Sequence, residues 1–229
     1  MCGIFSAVSR TAAQAPSEQV LELLKHRGPD HLGEHLTAYE AHESKISLRF
    51  VSTVLALRGD HVASQPLVDA TSGSSLSWNG EAWKISGKPV EGNDGEAILK
   101  LLCEAASNSS SEDAVTKTLG VLRSISGPFA FVYFDKAHGL LYYGRDRLGR
   151  RSLLVDVERA SGSFYISSVA DSTLGNWREV EADGIYVLAL DERSQAVLPK
   201  SSDDTAMECP FPCSRVSWTK DEESEHAVS

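Results

Sequence analysis

From Phe129 onward the chain is a succession of short apolar runs closed by turn residues, and this cadence narrows the fold more than any other feature. The runs are Phe129 to Phe134, Leu140 to Tyr143, Leu153 to Val155, Phe164 to Ser167 and Ile185 to Leu190. Each has strand length and strand composition. Asp135-Lys136-Ala137-His138-Gly139 reads as a hairpin loop between the first two. The strict strand–helix alternation of a parallel sheet is missing. The pattern therefore predicts antiparallel sheets with helices packed on them, an α+β fold.

The first half of the chain supplies the helices. Gly3 to Ser9 predicts a strand that starts almost at the amino terminus. Ser17 can cap a helix whose apolar side carries Val20, Leu21, Leu23 and Leu24, ending before the breakers of Arg27-Gly28-Pro29-Asp30. Ser47 to Leu57 and Ser75 to Trp83 predict strands. Asn93 and Glu96 have capping-box spacing ahead of a helix through Ala97, Ile98, Leu101, Leu102 and Ala105. Ala114 to Ile125 completes a helix pair. One domain is expected over 1–195. The segment 196–229 is expected to be an acidic linker or disordered tail, because 201–229 hold a net charge of −5.

Charge and composition remove several classes of function. The net charge is −10, which argues against a nucleic-acid partner, since phosphate contacts need a basic face. No apolar run approaches the ~20 residues of a membrane span. Met1-Cys2-Gly3-Ile4-Phe5 is not a secretory signal, and four cysteines do not make a disulfide framework. A cytoplasmic location is expected. Cys209-Pro210-Phe211-Pro212-Cys213 offers two ligands where a structural metal wants four, so no metal and no cofactor are expected. His26, His31 and His35 are expected to be solvated residues in or near a loop.

Cys2 carries the most chemistry. Initiator Met is generally removed ahead of a small residue, and removal would leave Cys2 as the amino terminus. One residue would then hold a thiol nucleophile and an α-amine of pKa about 7.7–8.0, a base able to take the thiol proton. Asn79-Gly80 could supply a side-chain amide and a backbone N–H to a developing oxyanion, although Asn-Gly is equally the residue pair of a hairpin turn. Arg58 could hold a carboxylate and Asp94 an ammonium, which together would fix an α-amino acid.

These residues sit in seven motifs whose order is more telling than any one of them. Met1-Cys2-Gly3-Ile4, Arg27-Gly28-Pro29-Asp30, Gln65-Pro66-Leu67, Trp78-Asn79-Gly80-Glu81, Asn93-Asp94-Gly95-Glu96, Gly127-Pro128-Phe129-Ala130-Phe131 and Arg145-Asp146-Arg147-Leu148-Gly149-Arg150-Arg151 resemble the glutaminase domain of asparagine synthetases. These are class II glutamine amidotransferases of the N-terminal-nucleophile hydrolase type. The resemblance runs to about Leu190. It implies a four-layer αββα sandwich of two antiparallel sheets, and hydrolysis of L-glutamine to glutamate and ammonia. Cys2 would attack the side-chain amide, Asn79 and the Gly80 N–H would hold the oxyanion, and Asp94 with Glu81 would receive the amino group.

Two departures accompany the resemblance. Ungapped alignment through Gln65-Pro66-Leu67 puts Val54 where the family has its carboxylate-binding arginine, with Arg58 four residues later. The ATP-binding synthetase half, with its Ser-Gly-Gly-x-Asp loop, is absent, so the ammonia would serve a synthetase domain outside this chain. An amidotransferase-like module with a regulatory or interaction role is the second reading.

Overall fold

The computed structural model describes residues 1–41, 45–56, 62–107, 110–201 and 209–219. The chain opens with β1 (Gly3–Ser9), α1 (Glu18–Arg27), β2 (His31–Glu40) and β3 (Lys45–Val54). Next come β4 (Leu67–Val68), β5 (Ser75–Gly80), β6 (Lys84–Ile85), β7 (Lys88–Pro89), α2 (Asp94–Ala106) and α3 (Ser111–Arg123). The second half holds β8 (Ile125–Ser126), β9 (Phe129–Asp135), β10 (Leu140–Arg145), β11 (Leu154–Glu158), β12 (Ser163–Ser167), β13 (Arg178–Glu179), β14 (Gly184–Ala189), α4 (Glu192–Ala196) and β15 (Cys213–Ser217).

The main sheets are antiparallel throughout. The first has the order β13-β11-β12-β1-β3-β2 and the second β15-β14-β10-β9-β5-β4. Strand alternation sends one face of each sheet to the other and the second face to helices. Ile4, Val8, Leu48 and Phe50 of the first sheet meet Val132, Phe134, Leu141 and Tyr143 of the second. The outer face of the second sheet, with Trp78, Phe131 and Tyr142, packs on Ile98 and Leu102 of α2 and Leu119 and Leu122 of α3. The outer face of the first sheet, with Phe5 and Val51, packs on Val20 and Leu24 of α1. The result is the expected α+β sandwich, four layers deep. Ser17 caps α1 and Asn93 caps α2 through side-chain bonds to Val20 N and Glu96 N.

Two segments differ from expectation. His31 and His35 lie on β2, an edge strand paired with β3 along its whole length, not in a loop. Its sequence has no apolar face: Leu32 and Leu36 point to solvent while His31 and His35 are half-buried. Backbone pairing, invisible to hydropathy, makes this strand. The acidic segment after 195 is also not uniformly a tail. Cys213–Ser217 pairs with β14, and Phe211 and Trp218 are buried in the two cores. Three apolar anchors (Phe211, Val216 and Trp218) outweigh the surrounding charge, and β14 offers an open edge for pairing.

Trp218 stands edge-to-face on Phe129 at 5.8 Å between ring centroids. Trp218→Ala should therefore cost about 3–5 kcal/mol. Urea unfolding should show a lower midpoint at unchanged slope, whereas a loss under 1 kcal/mol would return this segment to tail status.

Candidate active site

The amino terminus is tied down by its neighbours. β1 lies between β12 and β3, so Cys2 sits at the end of an interior strand. A Cβ on Gly3 would lie 2.5 Å from Thr53 Oγ1 and 2.8 Å from Leu24 Cδ2, so only glycine lets α1 approach this closely. Ser168 Oγ accepts from the Ile4 N–H at 2.9 Å. Arg27, the last residue of α1, donates from Nε to the Cys2 carbonyl at 3.3 Å. Its Nη1 donates to Ser152 Oγ and to the Ser168 carbonyl at 2.9 and 3.1 Å.

The rest of Arg27-Gly28-Pro29-Asp30 serves the same junction. A Gly28 Cβ would fall 2.5 Å from the Thr53–Val54 peptide. Asp30 accepts the Ala56 N–H at 2.8 Å just past β3. The breakers visible in the sequence are thus a clasp joining α1, the backbone of Cys2 and the end of β3. Sequence reasoning saw the loop and missed the clasp. The signal available was an arginine next to two breakers and an acid.

A cavity of about 130 Å³ opens at this junction. Cys2, Val54, Gln65, Asn79, Asp94 and Arg151 contribute to its wall, with Gly80 and Glu81 beside them. Cys2 Sγ is 3.9 Å from the Leu55 carbonyl, and burial pushes its thiol above the ordinary range, with Asp94 adding to the effect. The Met1 ammonium donates to the Arg27 carbonyl at 3.1 Å, and burial lowers its pKa.

Asn79 and Gly80 are not a turn. Both lie in β5, opposite Ala130 and Phe129 of β9. Alternation along β5 sends Trp78 to the helix side and Ser77 and Asn79 to the first sheet, where Ser77 meets Ser52 at 3.0 Å. Asn79 is 1% exposed, and its Nδ2 has no hydrogen-bond partner among the described residues. Glu81 N donates to the Pro128 carbonyl at 2.9 Å. The alternation of an antiparallel ladder therefore turns the Gly80 N–H away from β9. It points the way the Trp78 N–H does, which Gln65 Oε1 accepts at 2.8 Å. Asn79 Nδ2 is thus a buried donor without an acceptor, in the wall that Cys2 shares.

Asp94 is the first residue of α2 and is buried. Its Oδ2 accepts from Trp78 Nε1 at 3.0 Å and from Ala82 N at 2.7 Å. Both bonds fall on one oxygen, so Oδ1 holds no bond among the described residues. Trp78 stacks on Phe129 at 5.1 Å between ring centroids and also orients this carboxylate. Val54 closes β3 and lines the cavity. Arg58 lies outside the described residues.

Arg151 reaches the cavity because Asp146 folds the preceding loop. The Asp146 carboxylate accepts from Phe129 N, Leu148 N, Arg150 N and Arg150 Nε, all within 3.2 Å. Gly149 takes φ +61° to close this turn. Among the described residues no three His, Cys, Asp or Glu side chains converge as a metal site, and no helix is long and apolar enough to cross a membrane.

The fold is a four-layer α+β sandwich with the amino terminus at the mouth of a polar cavity, and comparison with known proteins shows its family. The profile of the glutamine amidotransferase domain family matches residues 1–196, and the chain belongs to that family. Human asparagine synthetase domain-containing protein 1 is 33% identical over 196 residues, covering 83% of this chain and 28% of that protein. The mouse protein of the same name is 31% identical over 224 residues, covering 91% of this chain and 34% of that protein. The chain thus spans about a third of these relatives. Among solved structures, Bacillus subtilis glutamine phosphoribosylpyrophosphate amidotransferase superposes with a TM-score of 0.57 at 16% identity, over 82% of this chain and 47% of that one. An allosteric regulatory enzyme of purine biosynthesis superposes at 0.61 and 15%, over 96% and 50%. At these identities the likeness is one of fold.

With Met1 in place, Cys2 should alkylate slowly at neutral pH, because a raised thiol pKa leaves little thiolate. Iodoacetamide labelling followed by peptide mass should give a rate still rising above pH 9. A plateau below pH 8 would contradict the burial argument.

Proposed function

We propose that this domain hydrolyses L-glutamine to glutamate and ammonia through Cys2, after removal of Met1. The observation that carries the reading is the orphaned Asn79 Nδ2 in the wall shared with Cys2. A buried donor without an acceptor costs about 1–3 kcal/mol, a cost that an oxyanion formed there would offset. The freed α-amine of Cys2 takes the thiol proton. Sγ then attacks the side-chain amide carbon. The tetrahedral oxyanion accepts from Asn79 Nδ2 and the Gly80 N–H. Its collapse breaks the C–N bond, and the α-ammonium returns the proton to the departing ammonia. Water, deprotonated by the same amine, cleaves the thioester and releases glutamate.

Asp94 Oδ1 and Glu81 would receive the substrate ammonium. Asp94 suits this because its other oxygen is already fixed by Trp78 and Ala82. The relatives are about three times as long and are named for an asparagine synthetase domain. The ammonia is accordingly proposed to pass to a synthetase domain, in asparagine biosynthesis or a related amide synthesis. Cytosolic conditions fit a nucleophile that must stay a free thiol, as all four cysteines are here. Val54 at the cavity wall favours the competing reading, a regulatory or interaction module, because it carries no charge for a carboxylate.

Cys2→Ala should abolish ammonia release from glutamine while leaving the melting temperature within a few degrees. Full activity in that variant would end the proposal. Asn79→Ala should lower kcat by about 10²–10³ with little change in KM. An unchanged kcat would remove the oxyanion assignment. A matured wild-type chain that neither releases ammonia nor reacts with an electrophilic glutamine analogue would favour the non-catalytic module.

A further inference from the structure

Resting on the glutaminase reading, we propose that Arg151 is the carboxylate-binding residue of this cavity, and that the Met1 thioether occupies its place until Met1 is removed. Arg151 Nη1 donates to Met1 Sδ at 3.4 Å, and Arg27 Nη2 approaches the same sulfur at 3.8 Å. A thioether is a weak acceptor for one guanidinium, and here two converge on it. They sit close enough to act on each other: burial first, and then Arg151, lower the Arg27 pKa. Between two like charges an anion is favoured over a neutral sulfur.

The two arginines differ in what else holds them. Arg27 is fully engaged with the Cys2 carbonyl, Ser152 and the Ser168 carbonyl. Arg151 has no ion pair among the described residues, and its buried Nε has no partner. Two arginines close before it in the chain have ion-pair partners: Arg145, the last residue of β10, pairs with Glu179 at 2.6 Å, and Arg150 with Asp146 at 2.9 Å. Arg151 alone of these three lines the cavity, and its fork meets no carboxylate among the described residues, only the Met1 thioether. A planar fork suits a carboxylate in bidentate geometry. Asp94 and Glu81 lie on the same cavity, so both charged ends of an α-amino acid would find a partner, with the Val54 side chain as an uncharged wall.

Loss of Met1 therefore does two things at once in this proposal. It frees the Cys2 amine, and it takes away the one side-chain acceptor that Arg151 has among the described residues. The retained methionine acts as a plug, so the unprocessed chain should bind no amino acid.

The test uses the matured chain, with Met1 loss verified by intact mass. Steady-state hydrolysis is measured for L-glutamine and for its α-carboxamide, which replaces the carboxylate by a neutral group. Arg151→Gln should raise KM for glutamine roughly 10- to 150-fold, the loss of one charge-assisted pair. Its kcat should stay within about threefold, and its KM for the α-carboxamide should match wild type. Arg151→Lys keeps the charge without the fork and should fall between, which guards against a folding defect in the first variant. An active wild type with unchanged KM in both variants overturns the assignment. So does an Arg58→Ala variant that carries the KM effect instead. A wild type inactive on both substrates overturns the glutaminase reading, and the Arg151 assignment with it.

Discussion

The bond from Arg27 to the Cys2 carbonyl is the constraint around which this molecule is arranged. Chain ends normally fray, because each ordered residue loses about 1–2 kcal/mol of backbone entropy and a terminus has neighbours on one side only. Residue 2 is held differently here, because the first strand is an interior one, with β12 and β3 on its flanks. The end of α1 then delivers a guanidinium to the last carbonyl before the strand. Gly3 and Gly28 are the two places where a side chain would prevent this approach.

The second sheet brings the complementary half of the site. Its β5 runs far enough past β4 that one edge lies open, and there the backbone N–H groups of Trp78 and Gly80 turn away from β9. Gln65 satisfies the first. Asn79, on the inward face, is left with a buried amide Nδ2 that has no acceptor among the described residues. An unpaired buried amide is costly, and what sets this one apart from the other unpartnered buried atoms is its place in the wall of the cavity that Cys2 lines.

The proposed carboxylate end of the cavity is where this chain differs from what the sequence resemblance implies. Val54 holds the aligned position, and a valine at the end of β3 can only pack. The Asp146 turn carries Arg151 to the same cavity from the opposite side of the chain.

Much of this was legible in order and spacing. The apolar cadence from Phe129 to Leu190 specifies antiparallel strands, the Ser17 and Asn93 caps set the starts of two helices, and the seven motifs name the family. These are local properties: a strand's alternation or a cap's side chain needs no knowledge of distant residues. What depended on distance could not be read. Asn79-Gly80 looks like a turn until β9 pairs with it. β2 has no apolar face and becomes a strand only because β3 offers it an edge. The acidic stretch after 195 looks like a tail, yet Phe211, Val216 and Trp218 anchor β15. Arg27 and Arg151 are 124 positions apart, and only folding brings them to one sulfur atom. The sequence alone determined the elements that carry a local pattern of their own, and which residues could do chemistry. The tertiary structure decided which of those residues share a cavity, because hydrogen-bond and charge partners are set by distances in space that no local pattern encodes.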